Sequence, residues 1–359
     1  MSGLDVGLYL AGPSRLAPAL EASFARRGAR VTRAQPPCAA GIASRVARRL
    51  TRGSVAARMA IRDTVEGAWA WLAARQAARR GHDLVIADLA VARAMGARGS
   101  TPRLLLLERG PADAIHAALD AEIERAPDFR AHLALYRATA DRCRQEREAI
   151  AAANHVLVPS RWIARAARAA TATAVTVVPP PVAPSAPRRP PVTAAPLRVW
   201  VPGVLIGRCG AHPLLECARR LGRDLEIRVA GRAADDPNVL ASFRVPILTG
   251  AGPLQASSAW ADAVVAPWIV DGYCAEAAGA AAAGVPTAMT EAAGGDLLSP
   301  GVRLLREGRV DSLMDALEEL RCPDRRAALS LRAAAFTRSR SAEAVDGALA
   351  AALRSLHLR

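Results

Sequence analysis

The chain has 359 residues, 52% of them hydrophobic, with 48 basic and 33 acidic side chains, a net charge of +15 and an isoelectric point near 11.1. Such length and composition exclude a disordered chain and a single small core, and predict two domains, each large enough to bury its own sheet. The charge points to an anionic partner, although all 48 basic residues are arginine, a usage that a GC-rich genome explains as readily.

Residues 5–15 (DVGLYLAGPSR) read as a short apolar strand stopping at Gly12, Pro13 and Ser14. Residues 16–28 carry apolar side chains at helical spacing and end at Gly28, and 30–33 form the next strand. This strand-loop-helix-strand opening suits a Rossmann-like domain, but the lone Gly12 is not GxGxxG, so the dinucleotide fingerprint is absent. Residues 41–80 form an Arg-rich, mostly helical stretch (Arg45, Arg48, Arg49, Arg52, Arg58, Arg62, Arg75, Arg79, Arg80) with Trp69 and Trp71 near its end. One reading is an interfacial surface for acidic lipid, since arginine attracts phosphate and tryptophan suits headgroup depth. The other is a solvated helix face whose tryptophans pack on the domain.

After Gly81 come the strand 84–87, a helix through Met95 and the apolar strand 104–107, both strands reading as central and parallel. The second ends on Glu108, Arg109 and Gly110, at the carboxyl edge where an active site would lie. Glu108 is a candidate general base; pairing with Arg109 or capping the next helix are equal uses of it. Two helices follow, the second from about Asp128 through Asn154, then the strand 155–160 and a helix for which Ser160 is the expected N-cap.

Residues 179–196 contain eight prolines and read as a stiff linker between a first domain, 1–178, and a second, 197–340. The second half restarts with the strand 197–203, the loop VLIGRCGAH and the helix PLLECARRL. LEIRVAG is a strand, DDPNVLASF a helix, VPILTG a strand ending at Gly250 and LQASSAW a helix. The strand 263–266 then opens into an Asp271-Gly272-Tyr273 turn and an Ala-rich helix closed by Gly284, Val285 and Pro286. The strand PTAM, the segment Gly-Gly-Asp (294–296), VRLL, a helix over 310–320 and two closing helices complete the chain, the last over about 341–356. Strands alternating with helices in both halves predict two doubly wound parallel sheets facing across a cleft. The six cysteines form no CxxC pair or His-rich cluster, so they read as thiols in a reducing cytoplasm, with no metal site. No signal peptide or membrane span is read, so membrane contact would be peripheral. Aromatic content of 4%, without a helix-turn-helix, zinc or RNP signature, argues against nucleic acid.

The order VLVPSRW, helix, TVVPPPV, the Gly-Ala-His-Pro-Leu-Leu-Glu helix after a loop, and DGYCAEAAG ahead of Gly-Val-Pro resembles GT-B glycosyltransferases of family 4. The resemblance covers nearly the whole chain. It implies an α/β GT-B fold whose last helix crosses back to the first domain, and retaining, metal-independent transfer of a sugar from a nucleotide-sugar donor to a glycan, lipid-linked or other acceptor, without a cofactor. By it Asp271 occupies the first Glu position and joins Glu108 as catalytic. Gly203, Arg208, Gly250, Gly272, Tyr273 and Glu276 fall on the donor side, and Gly12, Ser14 and Arg109 on the acceptor side. The chain departs from the family pattern at Val204 (Arg), Cys209 (Lys) and Gly279 (second Glu), for which Arg208 and Glu276 are the substitutes at hand. A catalytically silent homologue holding a protein partner is the alternative implied.

Overall fold

The computed structural model describes residues 3–34, 55–96, 100–182, 196–233, 237–244, 247–252, 260–338 and 342–356. Residues 183–195 of the expected linker, the expected helix LQASSAW apart from Trp260, Cys38 and Arg45, Arg48, Arg49 and Arg52 lie outside the described residues, as do the side chains of Arg58 and Arg62.

Among the described residues, twelve strands form two parallel sheets. In the first half they are β1 (Asp5–Tyr9), β2 (Arg30–Ala34), β3 (Leu84–Asp88), β4 (Arg103–Leu106), β5 (His155–Val158) and β6 (Val175–Val177), in the order β2-β1-β3-β4-β5-β6. In the second they are β7 (Leu197–Val201), β8 (Leu225–Val229), β9 (Ile247–Leu248), β10 (Ala263–Ala266), β11 (Thr287–Thr290) and β12 (Arg303–Leu305), in the order β12-β11-β10-β7-β8-β9. The continuous apolar runs explain the layout: β4, β5, β10 and β11 are buried along their whole length, as strands covered on both faces must be.

The last helix, Ala342–Ser355, crosses back to the first sheet. Val345, Leu349, Ala352 and Leu353 join the core under β1, β3 and β4, with Leu16, Leu20 and Phe24 of the first helix. Asp346 accepts from the Ser23 hydroxyl and from the Arg26 guanidinium at 2.8 Å, and Ser355 Oγ lies 2.7 Å from His155 Nδ1.

The expected helix from Asp128 to Asn154 is two helices, Arg130–Ala134 and Ala140–Ala151. Thr139 interrupts it, because its hydroxyl accepts the Arg142 amide at 3.2 Å and so starts a new helix. The break lets the preceding segment reach the other half of the molecule: Ile115, Leu119, Phe129 and Leu133 are buried in the core built on β7, β8 and β10. Much of the contact between the halves is therefore apolar.

Candidate active site

In an open α/β sheet, ligands bind outside the carboxyl ends of the strands where the chain reverses its winding. For the second sheet that switch lies between β7 and β10. The two loops that leave these strands carry Arg208 and Asp271. They are stitched together by the Ile269 amide, which donates to the Arg208 carbonyl at 3.0 Å. At the switch point Arg208 Nη2 lies 2.6 Å from Asp271 Oδ2, and the guanidinium also stacks 4.9 Å from the centre of the Tyr136 ring. Burial disfavours the Arg208 charge, but the Asp271 carboxylate, together with Cys209 and Tyr136, outweighs it and raises the pKa. Asp271 has φ +115°, a strained backbone for a residue with a side chain.

Gly272 and Tyr273 are buried, and the turn is fixed to the loop after β11 by the Gly272 and Cys274 amides, which donate to Ala292 and Ala293. Beside it, Gly203 and Gly250 are joined through a third glycine that the sequence reading missed. Gly231 donates to the Gly203 carbonyl at 2.6 Å and accepts from the Gly250 amide at 2.5 Å. A Cβ on Gly231 would lie 2.6 Å from the Gly203 oxygen, so the close approach of these loops requires glycine. Glu276 is exposed in the first turn of the helix Ala275–Ala282, 3.7 Å from the Cys274 sulfur. Gly279, one helical turn on, faces open space. Val204 and Cys209 pack into the apolar core of this half.

The opposing wall comes from the first sheet. Glu108 Oε1 accepts from the Arg15 and Leu16 amides at 2.8 and 3.0 Å, so Glu108 caps the first helix rather than the helix that follows it. Ser14 Oγ accepts from Ala17 at 2.9 Å in the same cap. Arg109 is paired with the buried Glu146, whose other oxygen accepts the Ala112 amide at 3.0 Å and starts the next helix. Gly12 leaves open space beside the cap. The Glu108 carbonyl borders the donor-side turn: it would be 3.5 Å from a Cβ on Gly272.

The two walls meet. The Arg15 guanidinium donates to the Tyr273 carbonyl, Arg165 pairs with Glu291, and Arg161 Nε lies 4.0 Å from Asp296 Oδ2. Sequence reasoning missed Arg15, Arg161, Arg165 and Asp296. The available signals were the i,i+4 arginines opening the helix after Ser160, and the acid that follows Gly294-Gly295. Both Asp296 oxygens are buried without a hydrogen-bond partner, and burial, aided by the nearby Glu291 charge, raises its pKa against the opposing pull of Arg161 and Arg165. A carboxyl that binds its proton more tightly folded than unfolded costs stability as pH rises through the carboxylate range. Asp296→Asn is therefore expected to raise the urea midpoint at neutral pH and to lose that advantage below the ordinary carboxylate range. A gain that persists in acid would refute the titration as its source.

No family model and no curated protein matches this chain. Solved structures do. Sucrose-phosphate synthase from Thermosynechococcus elongatus is 14% identical with a TM-score of 0.66, over 99% of both chains. This is the GT-B fold. The Anabaena protein HepE in complex with UDP is 14% identical at a TM-score of 0.61 over 99% of this chain and 100% of that one. The UDP-forming α,α-trehalose-phosphate synthase of Burkholderia vietnamiensis is 12% identical at 0.62 over 99% and 98%. At these identities the likeness establishes the GT-B architecture expected from the sequence.

Proposed function

We propose that this GT-B protein is a glycosyltransferase, of the retaining, family 4 type, that takes a nucleotide-sugar donor at the β7/β10 switch point. The observation that carries the reading is the Arg208–Asp271 pair, on a strained residue, in the crevice where this sheet topology binds ligands. A diphosphate offers Arg208 more negative charge than one carboxylate does, so the donor draws Arg208 from Asp271. Asp271, beside the Gly272-Tyr273 turn, is then free to accept from the sugar hydroxyls. Glu276 takes the ribose, the Gly203-Gly231-Gly250 shelf faces the base, and Glu108 and Gly12 border the acceptor. Structures similar to this one hold UDP or form it, which makes UDP-sugars the first donors to test.

A second reading, a catalytically silent GT-B protein holding a partner, has its own support. Gly279 presents no carboxylate, and Val204 and Cys209 pack into the apolar core, so three charged contacts implied by the family resemblance are missing. Each is worth about 1.5–3 kcal/mol, against about 8 kcal/mol for micromolar binding. Calorimetric titration with UDP-, GDP-, ADP- and dTDP-sugars separates the two. Saturable binding of one of them supports the enzyme, and no heat with any at millimolar concentration leaves only the silent protein.

A further inference from the structure

The helix Val55–Arg79 resolves the two readings of the Arg- and Trp-rich stretch in opposite ways for its two tryptophans. Ala70, Ala73, Ala74 and Ala77 form its inner face, buried against β1 and β3. Trp69 is half-buried and its indole donates to the Leu10 carbonyl at 3.0 Å, so it serves packing. Trp71 and Leu72 are each 51% exposed and lie off that inner face. They border a concavity of about 300 Å³ together with Arg75, Gln76, Arg79 and Arg80. Arg75 lies 4.6 Å over the Trp71 ring, and among the described residues none of these three arginines has a carboxylate within 4.0 Å. The three arginines of the helix Ala140–Ala151 and Arg208 of the cleft, by contrast, are each paired with a carboxylate.

We propose that this face binds an anionic membrane surface. Trp71 and Leu72 enter the headgroup layer, and Arg75, Arg79 and Arg80 take lipid phosphates. Two large apolar side chains half in water gain by leaving it, and three unpaired guanidiniums beside them supply the complementary charge. A soluble polyanion would use the arginines but would give Leu72 nothing to bury against, which favours the bilayer. No helix among the described residues is long and apolar enough to cross a membrane, so the contact is a surface one.

Flotation of the full chain with phosphatidylglycerol/phosphatidylcholine vesicles, and with pure phosphatidylcholine vesicles, tests this. Binding is expected to the anionic vesicles alone. Arg75→Gln/Arg79→Gln/Arg80→Gln is expected to weaken it by about a hundredfold, whereas the charge-matched Arg144→Gln/Arg219→Gln/Arg309→Gln retains most of it. Trp71→Ser is expected to reduce the quenching of intrinsic fluorescence by brominated lipid. Equal loss in the two triple variants would overturn the proposal in favour of diffuse attraction by the net charge. Binding to neutral vesicles that matches the anionic ones, or polyphosphate binding through the patch without vesicle binding, would overturn it as well.

Discussion

Gly272→Ala is expected to be among the most damaging single substitutions in the cleft. An added Cβ would lie 2.2 Å from Ile163 Cδ1 and 2.8 Å from its Cγ1, and Ile163 is fully buried in the first-half core. The residue also has φ +111°, where a side chain is strained whatever the space. Backbone strain costs about 1–3 kcal/mol and overpacking about 1–3 kcal/mol more, so the urea midpoint should fall sharply. Gly272 belongs to the second sheet's loops and Ile163 to the first half, so the clash is relieved by moving the halves apart. Small-angle scattering should therefore show a larger radius of gyration at low denaturant. Adding Ile163→Val, which removes Cδ1 but keeps Cγ1, is expected to recover part of the packing share and leave the strain. A double variant no more stable than Gly272→Ala would show that the contact between the halves is not the cause.

Gly279→Glu is expected to act in the opposite direction. Nothing lies within 4 Å of the Cβ this residue would carry, and it sits inside the helix Ala275–Ala282. Replacing an interior helix glycine recovers about 0.5–1 kcal/mol of stability by itself. The new carboxylate would stand one turn beyond Glu276, on the side where the resemblance places a ribose contact. If the donor lies as proposed, one charged hydrogen bond tightens it by about tenfold or more. Higher stability with unchanged donor affinity would mean that the ribose lies elsewhere, and would weaken the donor pose rather than the fold.

The fold was legible because its signals are local. Four-residue apolar runs such as Ala263–Ala266, and turns such as Gly12-Pro13-Ser14, mark strands and breaks without knowledge of their neighbours. Thr139 was the local signal overlooked, and with it the break that sends Phe129 and Leu133 into the other half. The site was less legible because its contacts are not local. Arg208 and Asp271 are 63 positions apart, and Arg165 and Glu291 are 126 apart. Charge alone names such residues as candidates but does not say that they neutralise one another. Glu108 is the same lesson: its place at a strand end suggested chemistry, while two amides 92 and 93 positions away give it a capping role. Trp69 and Trp71 differ only in which side of one helix they occupy, and that phase is set by the alanines that pack beneath it.

The central claim is that Arg208 exchanges Asp271 for the diphosphate of a bound nucleotide. The direct measurement is a calorimetric titration of Asp271→Asn, beside the unaltered protein, with the nucleoside diphosphate of whichever sugar donor binds. The free diphosphate has no sugar for Asp271 to hold, so removing the carboxylate charge only frees Arg208. The exchange predicts about tenfold tighter binding in the variant. Equal or weaker binding would contradict it.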